Sequence, residues 1–322
     1  MIIIPTMQMR TIFIIGAALS ACVVAAGCGS EDEGDTTRVV ATTGIVADLA
    51  ENVAGPDAEV VQLIPDGSSP HDFELSAEDR QTLEQADVIA ASGADLEVGI
   101  PLDETDAPRW ELAANVAELL PFAEGGAHAE DEHDEEAAHE DEEEEEHGSS
   151  DPHVWMDPSR VADALPSLAA ALSDADPEHA DDYDRRARAH AEELSDLDRE
   201  LRSILEAVAP ADREIVASHD SLGYLADRYG FEVVATAFPS SGPEAEPSAA
   251  QLQEVLDAIA EHGVPVVFSQ EEDDPETLRL VADQAGIEIE EGLIVESPGS
   301  AGTYEEMLRR DAELIAERLN GG

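Results

Sequence analysis

The sequence predicts an α/β protein of two lobes, each with a mainly parallel sheet flanked by helices, the two joined by one long rigid helix. Three observations carry that prediction. Short apolar runs of strand length alternate with helical periods along most of the chain, the pattern of parallel strands with crossover helices. The stretch from Pro177 to Ala207 keeps helical periodicity with no Gly or further Pro inside it. At roughly 30 residues it would extend some 45 Å, more than one lobe needs and enough to connect two. Finally, 322 residues exceed one ordinary domain.

Each element follows in order. Arg38–Thr43 reads as a short buried strand and Gly44–Asn52 as the helix after it. Glu59–Ile64 and Val88–Ser92 are further strands, with a helix at Ser76–Gln85 between them. That helix starts on Ser76-Ala-Glu-Asp79, a capping-box pattern. Beyond the long helix, Glu214–Ser218, Phe231–Ala237 and Val264–Ser269 are strands, separated by helices at Ser221–Tyr229 and Ser248–Glu261. Ile287–Val295 is the last strand and Tyr304–Leu319 the closing helix. The expected boundaries are a first lobe at 38–173, a connector at 174–208 and a second lobe at 209–322. No solenoid-type repeat interrupts this plan.

Charge excludes whole classes of partner. The chain carries 76 Asp and Glu against 16 basic residues, all of them Arg, for a formal net charge of −60. Nucleic acid is disfavoured, because phosphate binding needs Lys or Arg, and so is a basic patch for anionic lipid. Removing the 13 acids of Glu130–Glu146 still leaves −47, so the acidity is general. With 43% hydrophobic residues the chain nevertheless has the means to fold.

Residues 1–27 read as an export signal, with Arg10 followed by an apolar run rich in small residues. Polarity changes abruptly at Cys28. Ala25-Ala26-Gly27-Cys28 resembles a lipobox, in which the Cys is acylated and becomes the mature N-terminus; Leu19-Ser20-Ala21-Cys22 fits the same pattern. Cys28 is preferred, since the acidic tether 28–37 begins there. The expected location is therefore the outer face of the cytoplasmic membrane. The only two Cys lie in this segment, so the mature body has no thiolate for catalysis or metal binding. Chemistry must come from His, carboxylates and hydroxyls.

Histidine placement is the informative feature. Four of the ten His (His128, His133, His139 and His147) lie in the acid-rich insertion 124–150. A like-charge block is normally a solvated loop, but His spaced through it suits weak, reversible capture of a cation. His71, His153 and His219 instead follow strand ends or lie between Pro residues, where α/β sheets place ligands. Each alone is as readily a structural His; three in equivalent settings suggest one metal site. With no Cys, a carboxylate should complete it. Asp72, Asp151, Asp157 and Asp220 adjoin these His and either hold their second ring nitrogens or cap turns and helices. His179, His190 and His262 read as lying on charged helical faces, with no role.

Several of these segments together resemble one family. Ser69-Pro-His71, Asp151-Pro-His-Val-Trp-Met-Asp-Pro158 and Ser218-His-Asp-Ser-Leu-Gly-Tyr224 are similar to the motifs of zinc/manganese ABC-transporter substrate-binding lipoproteins. Glu244–Leu252 and Thr303–Leu319 resemble that family's Glu-Pro-Ser segment and closing helix. The His-rich acidic insertion resembles its zinc-specific, ZnuA-like branch. The resemblance implies metal in the cleft between the lobes, held by His71, His153, His219 and a carboxylate after the last strand. Where the family commonly has Asp, this chain has Glu296. Three imidazoles and one carboxylate suit Zn²⁺ better than Mn²⁺, which prefers oxygen-rich octahedral sites. The implied activity is capture of Zn²⁺ as transported ligand by a monomer, for delivery to an ABC permease and its ATPase, without catalysis. Affinity should fall as pH drops through roughly 6.5. The alternatives are Mn²⁺ or Fe²⁺ transport, a surface adhesin or zinc buffer, and a zinc hydrolase. The last lacks a His-Glu-x-x-His or nucleophile motif.

Overall fold

The computed structural model describes residues 36–122, 150–238, 247–271 and 276–321. The expected leader, both Cys residues, the four insertion His and part of Glu244–Leu252 lie outside the described residues. In chain order the first lobe holds β1 (Thr37–Ala41), α1 (Gly44–Ala54), β2 (Ala58–Gln62), α2 (Ala77–Glu84), β3 (Val88–Ala91) and β4 (Arg109–Glu111). Next come α3 (Pro158–Ala175) and α4 (Ala180–Leu205). The second lobe holds β5 (Glu214–Ala217), α5 (Gly223–Tyr229), β6 (Glu232–Thr236), α6 (Ala249–His262), β7 (Val266–Gln270), α7 (Glu276–Ala285), β8 (Glu288–Leu293) and α8 (Tyr304–Asn320).

Both sheets are four-stranded and wholly parallel, in the orders β2-β1-β3-β4 and β6-β5-β7-β8. The first strand of each lobe is therefore central, and the connections diverge on either side of it. This is the switch-point arrangement that leaves a crevice beyond the carboxyl ends of the strands. β1 and β3 carry Val39, Val40, Ala41 and Val88 to Ala91, all fully buried, as expected of strands covered by helices on both faces.

α4 is 26 residues long, about 39 Å. It is shorter than the sequence suggests because Pro177–His179 forms a separate 3-10 turn. There Asp176 accepts hydrogen bonds from the Tyr183 hydroxyl at 2.7 Å and from His179 Nδ1 at 2.6 Å. The inner face of α4 runs Tyr183, Ala187, His190, Leu194, Leu197, Leu201 and Leu205, one buried residue every three or four. His190 is thus turned inward and 2% exposed, not on a charged face. His179 and His262 do stay at the surface, paired with Asp176 and Glu214.

One apolar core runs through α1, α3, α4 and α8 and includes residues of both sheets; smaller clusters fill the outer side of each sheet. α4 is also pinned by polar contacts. Arg186 donates to the carbonyls of Val53 and Ala54 at the end of α1. Arg228 of α5 donates both arms to Asp198 of α4 at 2.8 and 2.7 Å. A continuous core and such clamps favour a stiff connection over a loose hinge. Helix α3 is absent from the sequence reading, because Pro158 and Pro166 look like punctuation. Pro158 in fact occupies the first turn, with Asp157 as N-cap, and Pro166 lies on the exposed side. Among the described residues, no helix is long and apolar enough to cross a membrane.

Candidate metal centre

The carboxyl ends of both sheets bring His71, His153, His219 and Glu296 together, with one ligand atom of each within 4.8 Å of the others. His71 stands in the irregular segment between β2 and α2, where its N–H donates to Ser69 Oγ at 3.3 Å. His153 precedes the 3-10 turn Val154–Met156 that leads into α3. His219 is the second residue after β5, and Glu296 lies between β8 and α8. The three imidazole centroids are 5.1 to 5.5 Å apart. Glu296 Oε1 lies 3.5 Å from His153 Nε2 and 3.8 Å from His71 Nε2. Such spacings are close to the edge of a tetrahedron with bonds near 2 Å, about 3.3 Å.

Burial makes this grouping costly unless something fills it. His153, His219 and Glu296 are at most 5% exposed. Nε2 of His71 and of His153, both ring nitrogens of His219 and Oε2 of Glu296 are buried without a hydrogen-bond partner. Native interiors rarely leave five such atoms unsatisfied in one place. Ligation of one cation satisfies four of them at once, through a single ring nitrogen of His219.

The electrostatics divide the four residues. Burial lowers His219 to about 3, and repulsion from His153 and His71 adds to it. Burial also lowers His71, against the attraction of Glu296. Burial opposes charge on His153 as well, but the Asp151 carboxylate outweighs it and raises this imidazole to about 10. Burial would raise Glu296, yet His153 and the other imidazoles hold it down at about 2. These directions favour an ionised Glu296 beside a protonated His153 while no metal is bound.

Asp151 is the one neighbouring acid bonded to a candidate ligand's ring. Its Oδ1 lies 2.7 Å from His153 Nδ1 and also accepts the His153 N–H at 2.8 Å. Holding Nδ1 in this way aims Nε2 at the centre. Asp157 instead caps α3, accepting from Ser159. Asp72 is exposed. Asp220 neither meets a His219 ring nitrogen nor caps α5, whose N-cap is Leu222. Gly223 is required here, since a Cβ would sit 2.6 Å from Asp151 Oδ2. Tyr224 holds the same segment: its hydroxyl donates to the Asp151 carbonyl at 2.9 Å and accepts the Leu120 N–H at 3.0 Å. Ser150 pairs with Pro121, so the chain leaves for the acidic insertion and returns at one point beside Asp151.

The sequence reading assigns no role to Trp155 or Tyr224, though both lie in its motifs. Aromatic residues are only 4% of the chain. Two of them beside candidate ligands were the available signal. One other group among the described residues, His190, Glu193 and Glu305, offers three ligand atoms; Glu193 is 70% exposed, and the group pairs α4 with α8.

Paired parallel α/β lobes along one helix, with donor side chains meeting between them, define the class: a metal-binding substrate-binding protein of an ABC importer, not an enzyme. Residues 39–318 match the ZnuA family, described as zinc-uptake complex component A, periplasmic, and the chain belongs to that family. It is 30% identical over 328 residues to the high-affinity zinc uptake system protein ZnuA of Paracoccus denitrificans, covering 93% of this chain and 98% of that protein. It is 25% identical over 309 residues to the manganese-binding lipoprotein MntA of Halalkalibacterium halodurans, covering 92% and 95%. The fold is that of the periplasmic zinc binding protein TroA from Treponema pallidum, with TM-score 0.75 and 23% identity over 88% of this chain and 99% of that one.

Proposed function

We propose that this protein is the high-affinity Zn²⁺-binding component of its importer, with His71, His153, His219 and Glu296 as the ligands. The carrying observation is the donor set: two buried imidazoles and a third nearly so, with unpartnered nitrogens around one carboxylate. Nitrogen-rich, four-donor spacing suits Zn²⁺, whereas Mn²⁺ favours more oxygens and six-fold geometry. Zinc is here the cargo. The protein captures it outside the cytoplasmic membrane and hands it to the permease. Acylated Cys28, or Cys22 in the alternative lipobox, would anchor the chain there. The His-rich insertion gathers cations weakly and, because Pro121 before it pairs with Ser150 beside Asp151, delivers them near the centre.

The test is a zinc titration of the His219→Ala variant beside the parent chain. Loss of the tight equivalent is expected. Unchanged tight stoichiometry would overturn the site. Transport of manganese or iron is the competing reading, favoured by relatives such as MntA, named for manganese. Competition of Mn²⁺ and Fe²⁺ against bound zinc decides it, with zinc expected to resist an excess of either.

A further inference from the structure

Glu296 belongs to the second lobe, on the irregular loop Ile294–Thr303 between β8 and α8. Both ends of that loop are fastened to one residue of the first lobe. Trp155 donates its indole N–H to the carbonyl of Val295, the residue before Glu296, at 2.8 Å. The Trp155 carbonyl accepts the hydroxyl of Tyr304, the first residue of α8, at 2.5 Å. The same indole stands edge-on to the His153 ring, 5.2 Å between centroids. Trp155, Val295 and Tyr304 are all at most 1% exposed, so both hydrogen bonds are shielded from water. Farther along the loop, Pro298 sits against Gly44 of α1, where an added Cβ would meet Pro298 Cδ at 3.0 Å.

We infer that Trp155 is a positioning residue of the metal centre, setting the Glu296 carboxylate against His153 from the opposite lobe. This rests on the reading of those two residues as ligands. A glutamate has one more rotatable bond than an aspartate, and this one lies outside helix and strand, ahead of the loop's 3-10 turn Gly299–Ala301. Its placement must come from the loop's attachments. Within its own lobe the loop is held by Asp311, whose Oδ1 accepts the Ile294 N–H at 3.0 Å, and farther from Glu296 by Ser300, which donates to Glu271 at 3.0 Å and accepts from Arg310 at 2.6 Å. Trp155 supplies a hold at each end across the lobes and packs on the partner ligand with the same ring. Pre-set ligands spare the ion the ordering cost of binding. The consequence is that closure and carboxylate placement are one event: the lobes cannot separate at this point without releasing both ends of the Glu296 loop.

The test uses Trp155→Phe, which keeps an aromatic ring on His153 and deletes the N–H, beside Glu296→Gln and the double variant, all in the full chain. Three readouts are taken: the visible spectrum of the Co²⁺-loaded protein, the zinc dissociation rate against a chelator, and thermal unfolding of the metal-free protein. Trp155→Phe should alter the Co²⁺ bands and speed zinc release about tenfold, the scale of one buried hydrogen bond. In the Glu296→Gln background it should add little, because both changes act through one carboxylate. A merely structural tryptophan would lower the unfolding temperature while leaving the Co²⁺ spectrum and release rate as in the parent, and that result overturns the inference. Full additivity with Glu296→Gln overturns it too. If Trp155→Phe does not fold, Tyr304→Phe deletes the other attachment and is read in the same way. Failure of the site reading is distinguishable, since Glu296→Gln would then leave the Co²⁺ spectrum unchanged by itself.

Discussion

Strand order is the same in both lobes, second-first-third-fourth, and in both the chain leaving the fourth strand supplies one of the proposed ligands: His153 after β4 and Glu296 after β8. The remaining pair breaks the correspondence. His71 leaves the second strand of its lobe, whereas His219 leaves the first strand of the other. The matching exit from β1 holds Thr42 and Thr43, and their hydroxyls are used within the lobe, by Glu97 and by the N-terminus of α1. A parallel sheet with a central first strand thus offers several exits around one crevice, and a site is a selection among them. The selected residues also differ in support. His153 is held by Asp151 and the Glu296 loop by Trp155, while neither ring nitrogen of His219 has a protein partner and the His71 side chain is 10% exposed.

The largest expected effect probes that difference in support. Asp151→Asn keeps the shape beside His153 but removes the charge that orients its ring. Zinc affinity should fall 10- to 100-fold, the usual cost of losing such an outer partner. Asp72→Asn, beside the weakly supported His71, should change it by no more than about twofold. Competition titration against a chelator of known affinity measures both. Equal losses would erase the distinction between braced and unbraced ligands.

Proton release sharpens the same point. An ordinary histidine would compete with metal only below about pH 6.5. His153, raised to about 10 by Asp151, keeps its proton through the neutral range, and metal must displace it. His219 at about 3 and Glu296 at about 2 have none to lose there. Affinity should therefore rise with pH about tenfold per unit well above 6.5, with about one proton released per zinc at pH 7.5. Calorimetry in buffers of different protonation enthalpy counts that proton. A count of zero would place His153 among the neutral ligands.

Much of this was legible in the residues. Strand-length apolar runs marked seven of the eight strands, and three His at loop positions converged as their settings suggested. β4 was missed because Arg-Trp-Glu is too short and too charged to show a buried period. α3 was missed because its prolines look like breaks, and their placement at a first turn and on a solvent face shows only in three dimensions. α7 was missed between strands that were seen. Local pattern also could not show that His190 lies on the buried stripe, nor that Trp155 reaches the far lobe, since that contact joins residues 140 apart in sequence.

The contact between Gly223 and Asp151 offers a smaller effect, on stability. Gly223→Ala forces a methyl to within 2.6 Å of Oδ2 of Asp151, itself fully buried. Destabilisation of about 1–3 kcal/mol is expected from such overpacking, read from denaturant midpoints of the metal-free protein. If the braced side of the site instead yields easily, the midpoint will not move.

The smallest effect lies at the joint behind the crevice, where α1 of one lobe meets α8 of the other. Asp48 of α1 accepts the Tyr304 N–H at 3.4 Å. Burial, and next the charge of Glu305, raise its carboxyl to about 6. An acid whose folded pKa exceeds its unfolded value costs stability when ionised, so this contribution is lost as pH rises from about 4 to about 6. Asn at this position keeps an oxygen to accept from Tyr304 and carries no charge. Asp48→Asn should therefore raise stability at pH 7 by about 1 kcal/mol, after allowance for partial solvation, and make no difference near pH 4. Thermal unfolding of the metal-free protein at the two pH values compares them. A variant less stable at pH 7 would mean that the ionised carboxylate strengthens the joint, so that the lobes are held together by charge there as well as by the Trp155 attachments.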